Sequence, residues 1–200
     1  MSLRLIRIVA WSAVIVVAVI LAGVYALGRN GGTPAEGNFG QGDYKLETAA
    51  GQPFTAASLK GAPSLLFFGY THCPDVCPTT MADMALWFHE LGHEGKALRA
   101  FFVSVDPSRD TPAVLGDYVK AVSDRITGVT GSAAETDKIE RAWGVYTEKV
   151  PAADGGDDYT MNHTATVYLI DSNGQFQGTI AYQEDDATAL KKLRNLIAKG

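Results

Sequence analysis

The sequence predicts an α/β domain in which helices flank a mixed central sheet, preceded by one N-terminal transmembrane helix. Three observations carry this. Two continuous apolar runs, centred on Leu65-Leu66-Phe67-Phe68 and on Phe101-Phe102-Val103, have the composition of strands covered on both faces. Each run leads through a proline-bearing turn into a segment with helical spacing. The first 27 residues contain a stretch long and apolar enough to span a bilayer.

Residues 1–7 carry Arg4 and Arg7, and residues 8–27 are almost wholly apolar. About twenty such residues span a membrane, whereas a signal-peptide core is shorter, and Val24-Tyr25-Ala26 is a poor small-residue cleavage site. An uncleaved anchor is expected. The basic residues put residues 1–7 in the cytoplasm and the following domain outside. In a bacterium this is a single-pass protein of the inner membrane with its C-terminal domain in the periplasm. Residues 28–42, rich in Gly, Asn, Thr and Pro, read as a flexible tether. Beyond Arg29 there are 14 basic residues against 22 acidic ones, a net charge of about −8, which argues against nucleic acid as a partner.

Within the domain at 43–200, Tyr44–Leu46 and Phe54-Thr55 read as short strands joined by a turn at Ala50-Gly51-Gln52. Ser58–Gly61 turns into the central strand Ser64–Tyr70. A helix from Pro78 to Leu91 follows, with Met81, Met84, Phe88 and Leu91 on one face, stopped by Gly92 or Gly95. Leu98–Val105 is the second buried strand. Thr111 or Asp110 caps the next helix, with Pro112 at its first position and its body at Ala113–Val122. A further helix is expected at Ala133–Trp143, then an acidic loop at residues 154–158. Thr164–Asp171 and Gln175–Tyr182 form a hairpin through Ser172-Asn173-Gly174, and Asp185–Lys199 is a terminal helix. The order β-β-β-α-β-α-α-β-β-α is the pattern of a thioredoxin-like fold.

The two cysteines of the chain, Cys73 and Cys77, lie together between the central strand and its helix, flanked by Pro74 and Pro78. Pro78 suits a first helical position, which puts Cys77 at or near the N-cap, where orphan N–H groups favour a thiolate. The spacing admits a structural disulfide, a redox dithiol, or two ligands of a soft-metal site. His163 stands at the mouth of a strand and is the better third ligand: two thiolates and an imidazole suit copper. His72 adjoins Cys73 but should point away from it, because strand side chains alternate. Met81 and Met84 have the spacing of core residues, and Met161 is open to either reading. Asp106 and Arg109, at the C-terminal end of a strand, could face the cysteines, though a turn closed by an internal ion pair is the plainer reading. His89-Glu90-Leu91-Gly92-His93 matches the H-E-x-x-H pattern of zinc proteases. It sits at a fraying helix end beside two glycines, with Lys96 and Arg99 where the longer motif needs Gly and His, and it is rejected.

Three segments resemble the Sco/SenC copper chaperones: Tyr70-Thr71-His72-Cys73-Pro74-Asp75-Val76-Cys77-Pro78, Val103–Thr111, and His163-Thr164 followed by Tyr168–Gly174. They occur in the family's order, and the resemblance extends over about Phe39 to Ala198. It implies a copper ion, Cu(I) or Cu(II), held by Cys73, Cys77 and His163. It implies delivery to the dinuclear copper centre of cytochrome c oxidase subunit II, with a periplasmic copper chaperone or a thiol reductase as further partners. A thiol–disulfide oxidoreductase keeping the acceptor's cysteines reduced is the alternative. Asn162 departs from the family, where Asp often precedes the histidine, and bears on how the imidazole is oriented.

Overall fold

The central strand β3 (Ser64–Gly69) is buried at all six positions, which explains its unbroken apolar run. In the computed structural model it lies between β4 (Arg99–Ser104), to which it runs parallel, and β8 (Thr166–Ile170), to which it is antiparallel. With β1 (Leu46–Thr48), β2 (Pro53–Phe54), β5 (Ile126–Thr130) and β9 (Phe176–Ala181) these strands form one mixed sheet of seven, ordered β2-β1-β5-β4-β3-β8-β9. The expected mixed sheet with flanking helices is thus present.

The structure describes residues 39–152 and 158–199, together with Arg7, Trp11, Val16 and Val17. The chain divides into two units, Met1–Asn38 and Phe39–Gly200. In the first, the four described residues are helical and exposed. The expected span at 8–27 and tether at 28–42 otherwise fall outside the described residues up to residue 38, as does most of the acidic loop. Among the described residues no helix is long and apolar enough to cross a membrane.

Among the described residues four α-helices cover the sheet: α1 (Val76–Leu91), α2 (Pro112–Val122), α3 (Ala133–Ala142) and α4 (Asp186–Lys199). Helix α1 buries Met81, Met84, Phe88 and Leu91, the stripe read from the sequence, and Gly92 at φ 48° ends it. It is tied to the start of α4 by the Trp87 indole N–H, which donates to Asp186 Oδ1 at 3.0 Å. Thr111 caps α2 with Pro112 at its first position, as expected.

Three strands escape the sequence pattern. Strand β5 is interrupted by Gly128, which lowers strand propensity, yet a Cβ there would lie 2.7 Å from Leu115 Cγ of α2. Strands β6 (Thr147–Pro151) and β7 (Tyr159–His163) form a separate two-stranded hairpin that pairs only with itself. None of its residues is fully buried, so it lacks the apolar face by which strands are recognised.

Candidate metal centre

The centre is built at the C-terminal end of β3. Beyond Gly69 the chain turns through Tyr70 and Thr71, and the Cys73 N–H donates to the Tyr70 carbonyl at 3.2 Å. Asp110, fully buried in the turn after β4, anchors this loop. Its carboxylate accepts the Thr71 N–H at 3.1 Å, the Thr71 hydroxyl at 2.6 Å and the Ser104 hydroxyl at 2.6 Å. Burial raises the Asp110 pKa, and the bonds from Ser104 and Thr71 oppose that rise. The sequence presents Asp110 only as a possible helix cap; its position beyond a parallel strand is the signal for its real task.

The cysteines take different roles from those expected. Helix α1 begins at Val76, with Asp75 as its N-cap, so Cys77 is the second helical residue and Pro78 the third. Proline costs no hydrogen bond there, because the first N–H groups of a helix have no partner within it. The Cys77 N–H donates instead to Cys73 Sγ at 3.3 Å. Cys73, not Cys77, therefore collects the field of the helix terminus. A hydrogen bond from the Cys77 thiol, aided by His163 and the backbone N–H groups of Cys77 and Asp75 and opposed by burial, lowers the Cys73 pKa to about 4. The same thiol–thiolate bond, together with burial, raises that of Cys77. The pair thus shares one proton, held on the inner sulfur.

Cys77 is fully buried, and its sulfur lies over the end of β3: a Cβ on Gly69 would be 2.8 Å from it. Cys73 is partly buried and, like Cys77, unjoined by a disulfide. His163 is the last residue of β7 rather than a residue leading directly into β8, and its Nε2 lies 3.4 Å from Cys77 Sγ. Its Nδ1 lies 3.2 Å from the Thr164 carbonyl oxygen, a contact that holds the ring with Nε2 turned toward the sulfurs. The ring sits edge-on to Phe67 and Tyr70, at centroid distances of 6.1 and 5.9 Å.

One donor atom from each of Cys73, Cys77 and His163 thus lies within 4.8 Å of the others, the one such His/Cys/Asp/Glu group among the described residues. First-row metal bonds of about 2.0–2.3 Å bring three ligands to within about 4 Å of each other, so little movement is needed for them to share an ion. Two sulfurs and an imidazole suit copper. An open cleft of about 590 Å³ gives access, lined among others by Tyr70, Cys73, Pro74, Tyr146, Met161 and His163.

The other candidates stay apart. His72 is exposed, with its ring 3.0 Å from the Thr71 hydroxyl. Met81 and Met84 are core residues, and Met161 lines the cleft. His89, Glu90 and His93 are exposed at the end of α1 and belong to no metal-binding group. Asn162 donates across the hairpin to Glu148 Oε2 at 3.2 Å. Asp106 and Arg109 form the ion pair of the plainer reading, with Arg109 Nε 2.5 Å from Asp106 Oδ2, but Arg109 also reaches the hairpin.

A mixed α/β sheet with two thiols and an imidazole converging at a strand end defines a class: a thioredoxin-like domain bearing a soft-metal centre. The family model described as SCO1/SenC matches residues 32–198, and the chain belongs to that family. Protein SCO1, mitochondrial, of Saccharomyces cerevisiae is 34% identical over 166 residues, 82% of this chain and 55% of the relative. The SCO1 homolog of Homo sapiens is 37% identical over 137 residues, 68% of this chain and 45% of the relative. The chain thus spans about half the length of these curated relatives. The structure of Bradyrhizobium japonicum ScoI with copper bound is 38% identical, with a TM-score of 0.71 over 78% of this chain and 99% of that one. Yeast Sco1 with copper bound is 32% identical, with a TM-score of 0.73 over 80% and 90%.

Proposed function

We propose that this protein is a membrane-anchored copper chaperone. In this reading Cys73, Cys77 and His163 hold the ion and pass it to the dinuclear centre of cytochrome c oxidase subunit II. The observation that carries the reading is the convergence of the three donor atoms, two of them on residues that line the open cleft, Cys73 and His163. The apolar segment 8–27 anchors the chain in the bacterial inner membrane, and the tether at 28–42 holds the domain on the periplasmic side, where the acceptor's copper domain lies.

The two sulfurs divide the work. Cys73 is already a thiolate at neutral pH and lines the cleft, so it meets incoming copper first. Cys77 gives up its proton as the ion is taken in, which makes loading proton-releasing. Three ligands leave coordination positions open to the acceptor. Its ligands enter from the cleft and displace Cys73 and His163 before the buried Cys77. Copper then passes by ligand exchange, without release of the free ion.

The lowered Cys73 beside a protonated Cys77 also favours a second reading, a thiol–disulfide reductase in which Cys73 attacks and Cys77 resolves. His163→Ala separates the two. Chaperoning predicts that chelator competition shows a loss of Cu(I) affinity of about a hundred-fold or more, since second-sphere changes alone cost about 10–100-fold. A reductase keeps most of its activity. Unchanged affinity removes His163 from the centre.

A further inference from the structure

We infer that Arg109 is a positioning residue for His163: it fastens the β6–β7 hairpin to the body of the domain and so sets where the imidazole stands. This rests on the copper-centre reading above. The hairpin pairs with no strand of the main sheet, and no residue of it is fully buried. With so little apolar burial, polar contacts must hold it. Period two along β7 puts Tyr159, Met161 and His163 on one face, and these are its three partly buried positions. His163 docks at one end of this stripe, against Cys77; Tyr159 docks at the other, about 13 Å away at roughly 3.3 Å per residue.

The Tyr159 end is gripped by the turn after β4. Arg109 Nη1 donates to the Tyr159 carbonyl at 3.0 Å and to Asp158 Oδ1 at 3.2 Å, and its guanidinium lies 3.7 Å over the Tyr159 ring. The Tyr159 hydroxyl donates to Asp106 Oδ1 at 2.9 Å, while Arg109 Nε holds the other oxygen of the same carboxylate. Asp106 is itself buried, so the clamp has a fixed base. From β6 the Thr147 hydroxyl donates to Glu140 Oε2 of the body at 3.0 Å. A planar fork can bridge a carboxylate, a carbonyl and a ring at once; a lysine ammonium cannot. Releasing this end lets β7 pivot and takes the imidazole from its 3.4 Å contact without disturbing the seven-stranded sheet.

The test compares Arg109→Ala, Tyr159→Phe and His163→Ala in the full chain. Amide hydrogen exchange is followed on copper-free protein. Cu(I) affinity is read by chelator competition, and nitrogen ligation by X-ray absorption. For Arg109→Ala, exchange in β6 and β7 should rise about ten-fold, the effect of one charge-assisted hydrogen bond, with β3, β4 and β8 unchanged. Copper affinity should fall by about the same factor, with a weaker imidazole signal. Tyr159→Phe should move both readouts in the same direction by about two- to three-fold. Hairpin exchange and affinity at the parental level in Arg109→Ala, with His163→Ala showing its own loss, would overturn the positioning role and leave the copper centre standing. A neutral His163→Ala would overturn the centre and the role together. If Arg109→Ala does not fold, Tyr159→Phe decides, and unchanged hairpin exchange in it refutes the clamp.

Discussion

A methyl group added at Gly69 tests whether the buried sulfur is seated by contact. A Cβ there would lie 2.8 Å from Cys77 Sγ and 2.8 and 2.9 Å from Cζ and Cε2 of Phe102. Comfortable contacts are about 3.5–4.0 Å, so the sulfur and the ring would have to recede by nearly an ångström. Phe102 has no room to do so: it is fully buried, with Phe67 and Tyr118 at centroid distances of 5.8 and 5.7 Å. Cys77 turns about a single torsion fixed in α1. Overpacking of this kind costs about 1–3 kcal/mol. Gly69 is not at positive φ, so alanine also narrows the unfolded ensemble, a gain of about 0.4–1 kcal/mol. The net loss is about 0–2.6 kcal/mol. At roughly 2–4 °C per kcal/mol for a domain of this size, Tm falls by at most about 10 °C. The centre should suffer more, because a shift of about 1 Å in one of three ligands falls directly on the coordination sphere; Cu(I) affinity should drop about ten-fold or more. Calorimetry of the copper-free protein and chelator competition give the two numbers. A Gly69→Ala protein with Tm raised and copper affinity intact would show that the close approach does not seat the sulfur, and the account of Cys77 would fail.

Four further outcomes are expected. Cys73 should be alkylated with a rate that is half-maximal near pH 4, while Cys77 resists, as read by mass spectrometry of each site. Because the fold lowers the Cys73 pKa, its contribution to stability is complete above the ordinary thiol range and declines as pH falls toward about 4; Cys73→Ser should flatten that part of the Tm–pH curve. Asp110→Ala strands the Thr71 N–H and the Thr71 and Ser104 hydroxyls, and urea unfolding should show a loss of about 1–3 kcal/mol. His89→Ala should leave copper content unchanged and stability within about 0.5 kcal/mol, which metal analysis and thermal unfolding can check.

What could be read in the sequence follows how local its cause is. Strands β3, β4 and β8 are legible because covering both faces of a strand demands an unbroken apolar run. The Thr111-Pro112 cap and the Met81-to-Leu91 stripe are legible because their partners lie within a turn or two. Strand β5 is hidden because Gly128 answers to Leu115, a side chain on another element. The β6–β7 hairpin is hidden because it has no core face. Cys73 and Cys77 declare their partnership by spacing, and the joining of His163 to them follows from the fold pattern and the family resemblance. Which sulfur carries the charge does not show, because it turns on a helix starting two residues before Pro78. The clamp between Asp106, Arg109 and Tyr159 closes across about fifty residues of chain, with no pattern in either segment to announce it.

On the proposed reading, the three ligands differ in how firmly the fold holds them, and that difference gives transfer an order. Moving Cys77 means disturbing its close approach to Gly69 and its place in the buried core cluster. Moving Cys73 means giving up the N–H bond that caps α1 and reshaping a loop that Asp110 anchors. Moving His163 asks that its ring and Met161 leave their partly buried places and that a hairpin without a fully buried residue come away from a polar clamp. Local openings cost less than global unfolding, and segments with few buried apolar contacts open most readily. The imidazole is therefore the ligand that leaves first, and Cys77 is the one that stays until the acceptor has taken the ion. A carrier built the other way round, with its loosest ligand buried and its firmest facing the cleft, would have to disturb its core at every delivery.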